Sequence, residues 1–514
     1  MFYMRVFAAL IILSITNMIA ADKPNRIIIN ADLGTEKINK NIYGHFAEHL
    51  GHGIYGGIWV GENSSIPNTK GIRNDVINAL REIAPPVIRW PGGCFADTYH
   101  WKDGIGPRDQ RPSIINSTWG GVTEDNSFGT HEFLLLCELL GAEPYLCVNV
   151  GSGTVQEASD WVEYINSNTK SPMTELRKKN GHEQPWKVKY WAVGNESWGC
   201  GGNMTPEYYA DHFKQFSTFL RGHLYRVASG GTDPDFDWTE TVLKKTQKDQ
   251  NIIQGYSFHY YTFCHGWNDK TSATKFTEND WFYTMKNTMV MEERLQRHIN
   301  LMDEYDPANK IGLIADEWGN WFSVEPGTNP GFLYQQNTVR DAVTAALYLN
   351  IFNNHARRVK MANIAQTVNV LQSMLLTNNE KMVKTPTFYV FKMYKVHQNA
   401  TLLPMDLECE DYSYNGLTLP SVSASASKDS VGKIHVSLSN INPNKDMTLD
   451  IDLRGGKKLS KVKGEIITAS AMNAYNDFDK PENVNCQPFT ECKIGNNILH
   501  VTLPSKSVVT LEVE

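Results

Sequence analysis

Residues 188–196 read VKYWAVGNE, a short apolar strand that runs without a break into Asn195 and Glu196. A buried strand ending on a carboxylate carries a desolvation cost unless that group is partnered or solvated. Outward in both directions the same texture recurs: PPVIRWPGG at 85–93, EPYLCVNVG at 143–151, YRVASGG at 225–231, GYSFHYY at 255–261, IGLIADEW at 311–318 and VKMANIAQT at 359–367. The segment around Ile42 to Glu48 makes an eighth. Helical patterns separate these strands. In QNTVRDAVTAALYLNIFNNHA at 336–356, Val339, Val343, Ala346, Leu347 and Ile351 recur at spacings of three and four. Alternating strands and helices predict an α/β fold, a parallel (β/α)8 TIM barrel over residues 41–395. A doubly wound open sheet is the alternative, disfavoured because no GxGxxG turn follows the first strand.

Beyond residue 395 the texture changes. KIHVSLSNI (433–441), MTLDIDL (447–453), KGEIITAS (463–470), NILHVTLP (497–504) and SVVTLEVE (507–514) alternate apolar and polar residues with turn residues between them. This predicts a C-terminal antiparallel β-sandwich over 396–514. NRIIINADL (25–33), within an N-terminal segment at 22–40, has the same texture and is expected to pair with that sandwich. Residues 1–21 carry Arg5, an apolar run and then small residues, the layout of a signal peptide cut near Ala20 or Ala21. Export to the periplasm or medium is therefore expected. The run is short for a membrane span, so none is expected in the mature chain. A formal charge of −7 with no basic tract argues against nucleic acid as a partner. The eight cysteines match no zinc ribbon or CxxC pair. In an exported chain Cys486–Cys492 is the expected local bridge, whereas Cys137 and Cys147 read as buried small residues.

Catalytic residues of such barrels project from the C-terminal strand ends. Four predicted strands end in dense polar groups: Asn195-Glu196, His259-Tyr260-Tyr261, Asp316-Glu317-Trp318 and Gln366. The carboxylates of Glu196 and Glu317, on the fourth and seventh strands, could face one another across the mouth. Glycoside hydrolysis needs such a pair, one acid to protonate the departing oxygen and one carboxylate to attack carbon or activate water. A separation of about 5–5.5 Å means retention through a covalent intermediate, and a wider one inversion. His45-x-x-Glu48-His49 has the letters of a zinc-protease motif, which requires a helix. Gly44, Gly51, Gly53, Gly56 and Gly57 surround it, so a strand ending in a loop is expected, with no metal.

The motifs YGHFAEHLG, RWPGGC, WAVGNE, SFHYYT, ADEWG and KMANIAQTVNVLQ, in this order from about residue 40 to 370, resemble glycoside hydrolase family 51, the α-L-arabinofuranosidases. The N-terminal strand and the sandwich match the same plan. The resemblance implies Glu196 as general acid/base and Glu317 as nucleophile. It implies Asn195 as a partner of the sugar 2-hydroxyl, Arg89 as the cation beside the nucleophile, and Glu48 as a ligand of furanose hydroxyls. Cys94, Tyr261 and Gln366 match positions lining the arabinose pocket, His259 a histidine near the nucleophile, and Trp119 an aromatic beyond the cleaved bond. Glu196 is expected to be protonated at rest, and Cys94 to be a thiol needing shelter from oxidation. No cofactor or metal is implied. The implied partner is an arabinose-containing oligosaccharide or polysaccharide, and a homo-oligomer is possible because relatives are often hexameric. The implied reaction is retaining, exo-acting hydrolysis of terminal α-L-arabinofuranosyl residues. An endo-β-glucanase or β-xylosidase on the same scaffold, and a non-catalytic carbohydrate-binding protein, are the alternatives.

Overall fold

The computed structural model describes residues 25–249, 251–456 and 458–514. At its centre eight parallel strands close into a barrel: Gly44–Phe46, Val87–Trp90, Glu143–Val148, Tyr190–Val193, Tyr225–Ala228, Gly255–Thr262, Gly312–Asn320 and Val359–Ile364. Each pairs with the next, and the eighth returns to the first through Asn363 opposite Gly44. Each strand forms in the stretch predicted for it, the sixth running on to Thr262 and the seventh to Asn320. Val87, Tyr145, Cys147, Ala192, Ile314 and Met361 fill the interior, and the small Cys147 is buried there, as expected.

One irregularity positions the site. Between the sixth and seventh strands, Ser257 lies opposite Ile314 but His259 lies opposite Glu317, so Ala315 and Asp316 together face Phe258 alone. A second register shift separates Ala315 from Trp318 against the eighth strand. Such a bulge breaks the period of two and re-aims side chains. Asp316 and Glu317 are adjacent in sequence, yet both bring a carboxylate to His259, at 3.2 and 3.6 Å.

The helix Val339–Asn354 departs from its amphipathic reading. Every residue from Val339 to Asn353 is buried. Several of its buried polar side chains find partners on two sides, as burial favours. Tyr43 Oη donates to Asn353 Oδ1 at 3.0 Å, from the start of the barrel. Asn350 and Asn353 donate to the hydroxyls of Ser423 and Ser425 in the sandwich, at 3.2 and 3.1 Å. This helix is the shared seam between the two halves. The strand opposite it, Val422–Lys428, reads VSASASK. Its small side chains suit the close approach of the helix, and their lack of β-branched bulk is why that strand is absent from the sequence pattern.

The sandwich has one sheet of five strands and one of six. The N-terminal strand Arg26–Asn30 joins the five-stranded sheet, burying Ile27 and Ile29 in the core between the sheets. It runs antiparallel to Met405–Glu408 but parallel to Met447–Arg454, an exception to the expected antiparallel pairing. Cys486 and Cys492 are not joined, contrary to expectation. They lie where the chain crosses over: Gln487–Phe489 belongs to the six-stranded sheet and Cys492–Gly495 to the five-stranded one. The disulfide present is instead Cys94–Cys200. The stretch read as a signal peptide lies outside the described residues. Among those described, no helix is long and apolar enough to cross a membrane.

Candidate active site

The second barrel strand delivers Arg89 and then the turn Pro91-Gly92-Gly93. A Cβ on Gly92 would stand 2.9 Å from Glu48 Oε1, and one on Gly93 would stand 2.7 Å from Glu317 Oε1. Only glycine lets this backbone pass between two carboxylates. Freed of side chains, it donates: Gly93 N–H and Phe95 N–H reach Glu48 Oε1 at 3.0 and 3.1 Å. Trp119 Nε1–H adds a bond to the same oxygen at 2.9 Å, and Gln366 Nε2–H reaches Oε2 at 3.2 Å. Burial, reinforced by the charge of Glu317, still pushes the Glu48 carboxyl up to about 7 against these donors.

Arg89 is buried and serves several groups at once. Nη1–H donates to Glu317 Oε1 at 2.6 Å, Nη2–H donates to Asn195 Oδ1 at 2.6 Å, and Nε lies 3.5 Å from Asp316 Oδ2. Tyr145 Oη donates to Asp316 Oδ2 at 2.9 Å. Tyr261 Oη donates to Glu317 Oε2 at 2.8 Å. Burial alone would raise the Asp316 carboxyl, but Arg89 and His259 outweigh it and hold it low. Removing the guanidinium leaves buried anions short of their counter-charge, which typically costs about 3–5 kcal/mol. Arg89→Ala is therefore expected to melt far below the parent. Arg89→Lys should not restore activity, because one ammonium cannot span Glu317 and Asn195 together. Thermal melting and kcat/KM measure both; an unchanged melting temperature in Arg89→Ala would refute the role.

His259 bridges the two glutamates. Its Nδ1 lies 2.9 Å from Glu196 Oε1, while Nε2 faces Asp316 Oδ1 at 3.2 Å. Burial would lower the imidazole. The charge of Glu317 and the bonds to Asp316 and Glu196 override that and push it up to about 10. A carboxylate oxygen of Glu196 and one of Glu317 come within 4.8 Å of each other.

The two expected carboxylates thus meet, and Glu48, Cys94, Trp119, Glu196, His259, Tyr261, Glu317 and Gln366 all border one cavity of about 560 Å³. Asn195 and Arg89 lie buried beneath that lining, tied to each other. Cys94 is not the free thiol expected, since its sulfur is bonded to Cys200 on the loop after the fourth strand. Asp316 appeared in the sequence only as part of the polar strand end Asp316-Glu317-Trp318, with no role of its own, and Cys200, Phe263, Trp267 and Trp321 were not singled out; the three aromatics extend the wall of the cavity. The residues of the zinc-like pattern separate. His45 packs on Phe391 with ring centroids 5.1 Å apart, Glu48 faces the cavity, and His49 bonds Glu124 at 2.9 Å. Trp90 Nε1–H donates to His49 Nε2 at 3.0 Å, so the ring anchors the first-strand loop behind Glu48. His52 sets its ring edge-on to Phe332, centroids 5.2 Å apart, and lies 3.3 Å from the Tyr55 carbonyl, while its own carbonyl accepts from Asn369 Nδ2–H at 2.9 Å.

A closed parallel barrel with paired glutamates across its mouth defines a glycoside hydrolase of the two-carboxylate kind. Known proteins narrow this. The family model for the α-L-arabinofuranosidase 1 domain matches residues 79–280, and the α-L-arabinofuranosidase C-terminal domain matches 316–507. A protein of Bacteroides ovatus named intracellular exo-alpha-L-arabinofuranosidase is 54% identical, covering 96% of this chain and 97% of its own length. The crystal structure of the GH51 arabinofuranosidase of Xanthomonas axonopodis pv. citri superposes with a TM-score of 0.94 at 45% identity, covering 96% of this chain and 100% of that one. The Thermotoga maritima α-L-arabinofuranosidase in its arabinose complex gives 0.84 at 30% identity, over 95% and 100%. The chain belongs to glycoside hydrolase family 51, the α-L-arabinofuranosidases. The same comparison corrects the expectation of export. The Bacteroides ovatus relative is intracellular by name, and an apolar run after one arginine is a matter of composition alone, too little to specify secretion.

Proposed function

We propose that the chain is a retaining, exo-acting α-L-arabinofuranosidase that removes terminal α-L-arabinofuranosyl residues from arabinan- or arabinoxylan-type saccharides. The observation that carries this reading is that one carboxylate oxygen of Glu196 and one of Glu317 lie within 4.8 Å of each other, a close approach that favours double displacement over the wider gap of about 6.5–9.5 Å used in inversion. Glu317, paired with Arg89 and bonded by Tyr261, is the nucleophile that attacks the anomeric carbon. Glu196 is the acid that protonates the departing oxygen. His259 occupies Oε1 of Glu196, which leaves Oε2 to carry the proton. Once the glycosyl-enzyme has formed, the same oxygen takes a proton from water as the water attacks. Glu48, fixed by four donors, and Gln366 hold furanose hydroxyls. Asn195 offers its amide to the 2-hydroxyl, a contact that strengthens as positive charge develops on the ring. Trp119 walls the side beyond the cleaved bond.

Time-resolved NMR on arabinosylated oligosaccharides tests this reading. The first-formed sugar should be free arabinose in the α configuration, with no internal fragments. A first-formed β anomer would refute retention, and release of internal oligosaccharides would refute exo action.

A further inference from the structure

The Cys94–Cys200 disulfide ties the turn after the second strand to the loop after the fourth, 106 residues on. Both sulfurs lie against one oxygen of Glu196: Cys94 Sγ is 3.8 Å and Cys200 Sγ 3.6 Å from Oε2. That is the oxygen left open by His259. The loop is set in an unusual conformation. Glu196 has φ of 39°, in the left-handed region that a side chain disfavours. Its carbonyl accepts from Gly199 N–H and Gly201 N–H at 2.8 and 3.1 Å, and Cys200 between them is exposed. In the oxidised pair neither sulfur carries hydrogen, so Oε2 faces two sulfurs that cannot donate to it. In the reduced pair two S–H donors would stand within sulfur hydrogen-bond range of the same oxygen.

We propose that Cys94 and Cys200 are positioning residues whose oxidation state sets how firmly Glu196 holds the catalytic proton. The proposal rests on the reading of Glu196 as the acid. Reduction by a dithiol breaks the S–S bond. One reductant thiolate attacks a sulfur, its second thiol closes the reductant into a ring disulfide, and two electrons and two protons end on Cys94 and Cys200. Hydrogen bonds donated to a carboxylate favour its ionised form. Reduced enzyme therefore loses the protonated acid at lower pH than oxidised enzyme. The titratable and charged groups of the site include His259, Asp316 and Glu317 from the sixth and seventh strands, Arg89 and Asp97 from the second strand and its turn, Glu48, and Asp233 and His265 on the cavity wall. None changes its covalent state on reduction, so the difference belongs to the two sulfurs.

The test is the pH profile of kcat/KM on a substrate with a poor leaving group, measured on full-length chain before and after dithiothreitol, with the pair counted by alkylation and mass spectrometry. The alkaline limb should move down by roughly half to one pH unit on reduction, S–H being a weak donor. An activated aryl substrate, which needs little protonation, should show no such shift. The Cys94→Ala/Cys200→Ala double variant lacks both tether and donors, so its limb should stay at the oxidised position and ignore dithiothreitol. Coincident limbs in oxidised and reduced enzyme overturn the proposal, as do alkylation of both cysteines without reductant and a shifted limb in the double variant. Failure of the underlying reading is seen separately, as a Glu196→Ala variant that slows poor and activated leaving groups alike.

Discussion

Glu317→Ala should lower kcat on an aryl α-L-arabinofuranoside by on the order of 10⁴- to 10⁶-fold, the loss typical of removing a covalent nucleophile. At about 1.4 kcal/mol per decade this is roughly 6–8 kcal/mol of transition-state stabilisation. The carboxylate cannot be replaced from nearby. Asp316 is engaged by Tyr145, Arg89 and His259, and Glu48 is enclosed by two backbone amides, Trp119 and Gln366. Arg89 keeps Asp316 and Asn195 as partners in the variant, so the fold should survive. Circular dichroism checks that point. Normal turnover by folded variant would remove Glu317 as the nucleophile.

Glu196→Ala should divide substrates by leaving group. For an oligosaccharide, whose departing alkoxide needs a proton, the loss should reach about 10²- to 10⁴-fold. For an activated aryl glycoside the first step should proceed nearly as before, and the glycosyl-enzyme should accumulate for want of a base. A small anion such as azide then fits the vacated space between Glu317 and the disulfide, attacks the intermediate and restores turnover as glycosyl azide. Absence of both the split and the rescue would reassign Glu196 to a structural role.

Much of this was legible in the sequence because the barrel strands are short apolar runs with polar ends, and burial makes such ends conspicuous. All eight fall where that pattern puts them. The glutamates of WAVGNE and ADEWG stood out for the same reason. Three things were not legible. The bulge that turns both Asp316 and Glu317 inward violates strict alternation, so a period-two reading leaves Asp316 facing away. The serine-rich strand Val422–Lys428 takes its place from the helix it meets, not from its own propensity. The disulfide joins positions whose sequence separation is large, whereas spacing favoured the six-residue interval at Cys486 and Cys492, which the change of sheet keeps apart.

The pairing of Arg26–Asn30 with Met405–Glu408 and Met447–Arg454 has a consequence for biosynthesis. This strand leaves the ribosome long before its neighbours, which lie more than 370 residues further along the chain. At about 5–20 residues per second the wait is roughly 20 to 80 s. Throughout that interval Ile27 and Ile29 have no sheet to enter, while the (β/α) units between can assemble by local contacts. The newborn chain thus carries an unpaired apolar strand until its last quarter arrives, and that strand is where a nascent-chain chaperone has most to protect.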